Sequence, residues 1–201
     1  MYQALKGFDY ANSKGIIHAD LKPEHLAFDL STRKLTILDW GLASFFNPEN
    51  LETEDDVKFY FTPEHNFMKE KVTTYALDIW TLGNIFAELL FKTEGILFEG
   101  EDKEDKLKKV IEVLGYEDLY AYLKKFGRED HVKARFLDIL QAEAGTKRKP
   151  WRAFVTDENR HMVSREAFDL LSKMLRYDHT ERITAKDAME HPYFKDVVPI
   201  I

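Results

Sequence analysis

The residues with the most chemical content lie in one string, His18-Ala19-Asp20-Leu21-Lys22-Pro23-Glu24-His25, followed by Asp39-Trp40-Gly41. Asp20 and Asp39 are nineteen residues apart, on either side of two short β-type runs. That arrangement can turn both carboxylates toward one cleft. An aspartate with a lysine two residues on can orient or take a hydroxyl proton while the ammonium neutralises a phosphoryl oxygen. A second aspartate beside a glycine turn can hold Mg²⁺, a hard cation that takes carboxylate oxygen. Asp-x-Lys and Asp-x-Gly are each common by themselves, so it is their joint spacing that points to phosphoryl transfer. The histidines leave one alternative open, a transition metal on His18, His25 and Asp39, against the ordinary packing role of a histidine.

These residues need elements to hold them. Leu5, Phe8 and Ala11 with Gly15 beyond predict a helix over Met1–Lys14 closed by a glycine. Ile16–Ile17, Leu26–Phe28 and Leu35–Leu38 read as short strands, the last two separated by a turn at Asp29–Arg33. The acidic stretch 47–56 reads as an exposed loop. Val72–Phe91 is apolar on nearly all sides, as in a helix at the centre of a domain. Its Asp78 and Glu88 argue against a membrane span. Further helices are expected at Glu104–Leu114, Glu117–Lys125, Arg135–Glu143, Ser164–Leu175 and Thr184–Met189. Ser164 and Thr184 are their capping residues, and Pro192 stops the last one. The expected fold is mainly α: one domain over 1–201, with a central buried helix and a small β-hairpin.

The chain has 201 residues, 44% of them hydrophobic and 32% charged, enough for a sizeable core and a solvated surface. A net charge of −7 argues against nucleic-acid and anionic-membrane partners. Without cysteine there is no disulfide framework and no thiolate chemistry. No secretory signal is recognisable at the start, so a soluble, cytoplasmic protein is expected. Lys147-Arg148-Lys149-Pro150 reads as a solvated loop, His161, His179 and His191 as packing or capping residues, and the fifteen phenylalanines as core.

Further segments extend the pattern: Leu38-Asp39-Trp40-Gly41-Leu42-Ala43, Leu77-Asp78-Ile79-Trp80-Thr81-Leu82-Gly83, Val113-Leu114-Gly115 with Glu117-Asp118-Leu119-Tyr120, Leu175-Arg176-Tyr177-Asp178-His179, and Arg182-Ile183-Thr184-Ala185 through Glu190-His191-Pro192-Tyr193-Phe194. With these, the whole chain resembles the C-terminal lobe of a eukaryotic protein kinase. Within that family the resemblance is closest to the casein kinase II catalytic (alpha) subunit, to which the tryptophan of Asp-Trp-Gly is quite specific. The resemblance implies that Asp20 stands at the catalytic base and Lys22 at the phosphate-contacting lysine. Asp39 stands at the metal-binding aspartate, with His25 and Ala27 beside it on the cofactor side. Asp78 would anchor the catalytic-loop backbone, and Arg182 would pair with the glutamate ending the activation segment, Glu64.

The departures from the family's pattern carry as much meaning. The sequence begins inside the helix before the catalytic loop, and no Gly-x-Gly-x-x-Gly occurs in it. The N-terminal lobe is therefore expected to be absent. Ala19 replaces the arginine of His-Arg-Asp, and His25 replaces the loop asparagine that holds a second Mg²⁺. Asp55, Phe59 and Thr62 stand where the acidic-substrate kinase has basic residues, with the alignment at Thr62–Pro63 open by one residue. An acidic peptide meeting Glu54, Asp55 and Asp56 would be repelled by about a few kcal/mol. The expectation is a lobe without activity of its own, with no required cofactor and at most weak Mg·ATP binding, its conserving chemistry vestigial at Asp20, Lys22 and Asp39. Erased function beside an intact core pattern, and helix surfaces rich in acid–base pairs, suggest a redesigned stand-alone lobe rather than a divergent natural pseudokinase. The alternatives are a serine/threonine kinase fragment active once an N-lobe is supplied in trans, and a pseudokinase-like scaffold for a protein partner. Without an upper lobe, the face near Leu26, Phe28 and Trp40 would be either polar or a site of weak self-association.

Overall fold

The computed structural model describes residues 1–47, 62–67, 73–92, 97–98 and 100–197. Helix α1 (Tyr2–Ser13) buries Ala4, Leu5, Phe8 and Ala11, and the chain turns out of it through Gly15 at φ +74°. Strand β1 (Ile16–Ile17) follows, then a 3₁₀ turn at Pro23–His25, where proline fixes the first φ. Strands β2 (Leu26–Asp29) and β3 (Lys34–Ile37) form an antiparallel hairpin in the register Leu26↔Ile37 to Asp29↔Lys34. The Asp29 carboxylate accepts hydrogen bonds from Ser31 and Thr32 at the tip, which holds it down at about 2. Strand β4 (Ser44–Phe45) returns to pair with β1.

Helix α2 (Pro63–Phe67) is short and inserts Glu64 and Phe67 into the core. The central helix α3 (Tyr75–Phe91) is capped by the Thr74 hydroxyl, which accepts from the Ala76 amide at 3.3 Å. Its start is therefore three residues beyond the expected Val72, which lies outside the described residues. Leu77 through Ala87 are all buried, with Trp80 and Leu82 fully enclosed. Around it lie α4 (Lys103–Leu114), α5 (Tyr116–Lys125), α6 (Glu129–Ala142), α7 (Arg165–Met174) and α8 (Ala185–Met189). Asp102, Ser164 and Thr184 cap α4, α7 and α8 with their side-chain oxygens. Helix α7 packs against α3, and α8 packs against α1, tying the end of the chain to its beginning.

Three expectations change. The helix expected at Arg135–Glu143 begins at Glu129 and runs through a non-helical Phe136 (φ −129°, ψ 30°) to Ala142. His161 is exposed, whereas His179 stacks on Phe126 and His191 accepts from the Tyr193 amide as a cap. Phe28 and Phe45 are on the surface rather than in the core. The loop at Lys147–Pro150 is exposed, with Arg148 and Lys149 lying over the rings of Trp151 and Phe154. Among the described residues no helix is long and apolar enough to cross a membrane. The acidic loop, with Asp55 and Phe59, lies outside the described residues.

Candidate functional site

Asp78 sits one turn inside α3 with no exposed surface, and its two oxygens reach the loop that carries Asp20. Oδ2 accepts from the His18 amide at 2.8 Å and Oδ1 from the Ala19 amide at 3.0 Å. Burial pushes this carboxyl up to about 7, against the two amides, which favour its charged form. Those bonds hold Ala19 at φ +64°, a left-handed backbone that costs a non-glycine residue about 1–2 kcal/mol. Asp39 takes the same unusual conformation, φ +56°. Two such residues flanking one loop mark backbone shaped by its surroundings.

The two histidine rings connect the loop to the strand hairpin. His18 is buried, accepting from the Asp20 amide at Nδ1 (3.3 Å) and donating from Nε2 to the Leu38 carbonyl (3.0 Å). Burial lowers its pKa, consistent with a neutral ring whose two nitrogens are both used. The Trp40 ring lies over it, centroids 4.6 Å apart, and its indole N–H donates to the Ile37 carbonyl at 3.1 Å. His25 donates from Nδ1 to the Asp20 carbonyl at 2.8 Å, while its Nε2 stands 3.3 Å from Asp39 Oδ2. Asp39 is exposed, and its other oxygen accepts from the Gly41 amide at 3.3 Å.

The structure thus brings Asp20, His25 and Asp39 together, with His25 as the bridge. Asp20 and Lys22 are half-buried, Lys22 in the extended backbone expected of a residue before proline. Ala27 is exposed on β2 opposite Thr36. Glu64 and Arg182 lie elsewhere, as a fully buried fork with N–O distances of 2.7 and 3.0 Å. Arg182 also donates to the Ala76 carbonyl at 2.6 Å and the Arg176 carbonyl at 2.9 Å, and its guanidinium lies over Trp80. Burial alone would raise the Glu64 carboxyl, but the guanidinium outweighs it and holds the pKa below the usual value. The fork ties α2 to the segment before α8.

A three-ligand metal site on His18, His25 and Asp39 is overturned. Both His18 nitrogens are engaged, and among the described residues no group of three or more His, Asp or Glu could hold a metal. Sequence reasoning also missed the bridging role of His25, which needs the hairpin to fold Asp39 back over the loop.

The protein kinase domain profile matches residues 1–194. The chain belongs to the protein kinase family. Mg·ATP is the cofactor that this family implies; Asp39 would supply it one exposed carboxylate oxygen, with the neighbouring His25 nitrogen a poor partner for a cation that takes its remaining oxygens from water and phosphate.

Proposed function

We propose that these 201 residues are a casein-kinase-II-like kinase C-lobe that transfers no phosphate by itself and serves as a folded module. The observation that carries this reading is His25. Its ring is held between the Asp20 carbonyl and the Asp39 carboxylate, at the position where the resemblance calls for an amide oxygen. Phosphoryl transfer relies almost entirely on positioning and charge stabilisation, and preorganised orientation alone is worth about 7–11 kcal/mol. Ala19, His25 and the lack of a glycine-rich loop in the sequence support the loss of most of that contribution. The absence of cysteine and the charge-patterned helices support a redesigned sequence. In this role the module needs no cofactor, retains weak Mg·ATP binding at most, and works in the cytoplasm.

The test is transfer of labelled phosphate from Mg·ATP to an acidic peptide, to a basic peptide and to the chain itself. No incorporation above an Asp20→Asn control is expected. Transfer by the chain alone that disappears in Asp20→Asn would sink the proposal.

A second reading has its own observation. Phe28, Leu38, Trp40, Leu42 and Phe45 are all exposed on and beside the hairpin, so the face near the candidate site remains apolar. That favours a kinase fragment completed by an N-lobe in trans. Phosphate transfer that appears only when an N-lobe is added, and rises in Ala19→Arg/His25→Asn, would favour this reading over the first.

A further inference from the structure

Two hollows adjoin where α1 begins, with volumes of about 460 and 300 Å³, and Met1, Phe28 and Leu35 line both. They form one trough, with Val197 on the wall of the first hollow and Leu89 on the wall of the second. Among the described residues no charged side chain lines it. Its one side-chain amide, Gln3, is already satisfied by the hairpin: Oε1 accepts from the Leu35 amide at 2.8 Å and Nε2 donates to the Arg33 carbonyl at 2.7 Å. The wall is set in advance, because the rings of Tyr2 and Phe194 pack edge to face with centroids 5.4 Å apart. Phe28 is nonetheless 51% exposed, Val197 41% and Leu89 53%. Such a trough favours an apolar occupant that brings few unpaired polar groups.

The sequence supplies one. Val197 is followed by Val198-Pro199-Ile200-Ile201, four apolar residues that lie outside the described residues. We infer that this segment occupies the trough as an intramolecular strap over Phe28 and Leu35. It starts from the trough's own wall, since Val197 lines the first hollow. Extended at about 3.3 Å per residue it reaches about 13 Å, more than the width of a rounded hollow of about 460 Å³. Pro199 suits the place twice. It biases Val198 toward extended backbone, and it carries no N–H that would go unpaired among apolar side chains. A second copy of the chain offers the same apolar side chains, but the tether gives the strap an effective concentration in the millimolar range, which a free copy in dilute solution does not reach. Any partner that docks on Phe28 therefore has to displace the strap first. The inference holds whether or not the chain transfers phosphate, since it rests on the trough and on the residues that follow Val197.

The chain has no cysteine, so Ile201→Cys gives a single attachment point for a nitroxide. In the dilute ¹⁵N-labelled chain, the nitroxide should broaden the amide signals of Gln3, Phe28 and Leu35. Phe28→Glu, at a half-exposed position, should remove that broadening, with Leu89→Glu as the substitute if the first variant loses its dispersed spectrum. In the unlabelled chain, deleting residues 198–201 should lower the melting temperature by about 2–4 °C and raise the binding of an apolar dye. No broadening at these three amides would overturn the inference, and so would a deletion that leaves melting and dye binding unchanged. A mixture of nitroxide-bearing ¹⁴N chain with label-free ¹⁵N chain separates the remaining occupant. Broadening as strong in that mixture as within one chain would hand the trough to a second copy and overturn the strap.

Discussion

Asp78 is asked to do two opposed things. It must be charged to accept from two amides, and it must be buried to reach them, and burial carries its pKa up to about 7. A carboxyl raised in the folded state contributes stability at low pH that is lost as pH rises from its unfolded value through about 7. His18 and His179, both lowered by burial, work in the opposite sense below about 6.5, because the unfolded chain takes their protons first. The Asp78 contribution therefore has to be read by difference. The stability of the parent chain relative to Asp78→Asn should fall by up to roughly 4 kcal/mol between pH 4 and 8, measured by urea unfolding at each pH. A difference flat in pH would mean that the two amides keep the carboxylate ionised throughout. The identities of Asp20, His25, Asp39 and Asp78 were all legible in the sequence. Their left-handed backbone at Ala19 and Asp39 was not, since no local propensity predicts a non-glycine residue at positive φ. Nor was the orientation of the His25 ring, which two atoms far apart in the chain determine.

Among the elements, those with a strong apolar period were readable to within a few residues: α1, α4, α5, α7 and α8 all begin or end near a capping residue or a glycine. The short or irregular ones were not. Strand β4 is two exposed residues, so it has no alternation to detect, and α2 is five residues opened by a proline. Helix α6 was half seen because its first turn, Glu129–His131, is polar in sequence and the non-helical Phe136 breaks its period. The α3–α7 contact can be tested at Gly83. A Cβ on Gly83 would fall 2.9 Å from Leu175 Cδ2 and 3.1 Å from Met174 Cβ. The leucine tip can rotate, but the Met174 Cβ moves only with the backbone of α7. Gly83→Ala gains about 1 kcal/mol in helix propensity and loses about 1–3 to overpacking. A net loss near 1 kcal/mol is expected from the urea midpoint; a stabilised variant would show that α7 has room to shift.

At the scale of the whole molecule, the apolar face and the net charge oppose each other. Leu30 is 84% exposed and Phe45 79%, with Phe28 and Leu42 also on the surface, while the net charge of −7 makes copies repel. Self-association should therefore be weak at low salt and strengthen as salt screens the charge. Sedimentation velocity in low and in half-molar salt should show this, and Phe28→Glu/Phe45→Lys should abolish it. A monomer at high concentration in both salts would mean that the face is too scattered to act as a surface. Composition foresaw the acid surplus and the family resemblance the face near Leu26, Phe28 and Trp40, but neither foresaw that Phe45 would extend it, because β4 itself was invisible. The pairing of β4 with β1 has another consequence. Ile16 and Phe45 are ladder partners, and the Phe46 amide donates to the Gly15 carbonyl at 2.7 Å, so everything between leaves and returns at a single point. Asp20, Lys22, His25 and Asp39 all lie within that closed loop, which the core also holds through Ile17, Leu21, Leu26, Leu35 and Ile37, the hydrogen bonds from Asp78 and those between Gln3 and the hairpin. Both ends of the site-bearing segment therefore share one clasp, the two-residue ladder between β1 and β4.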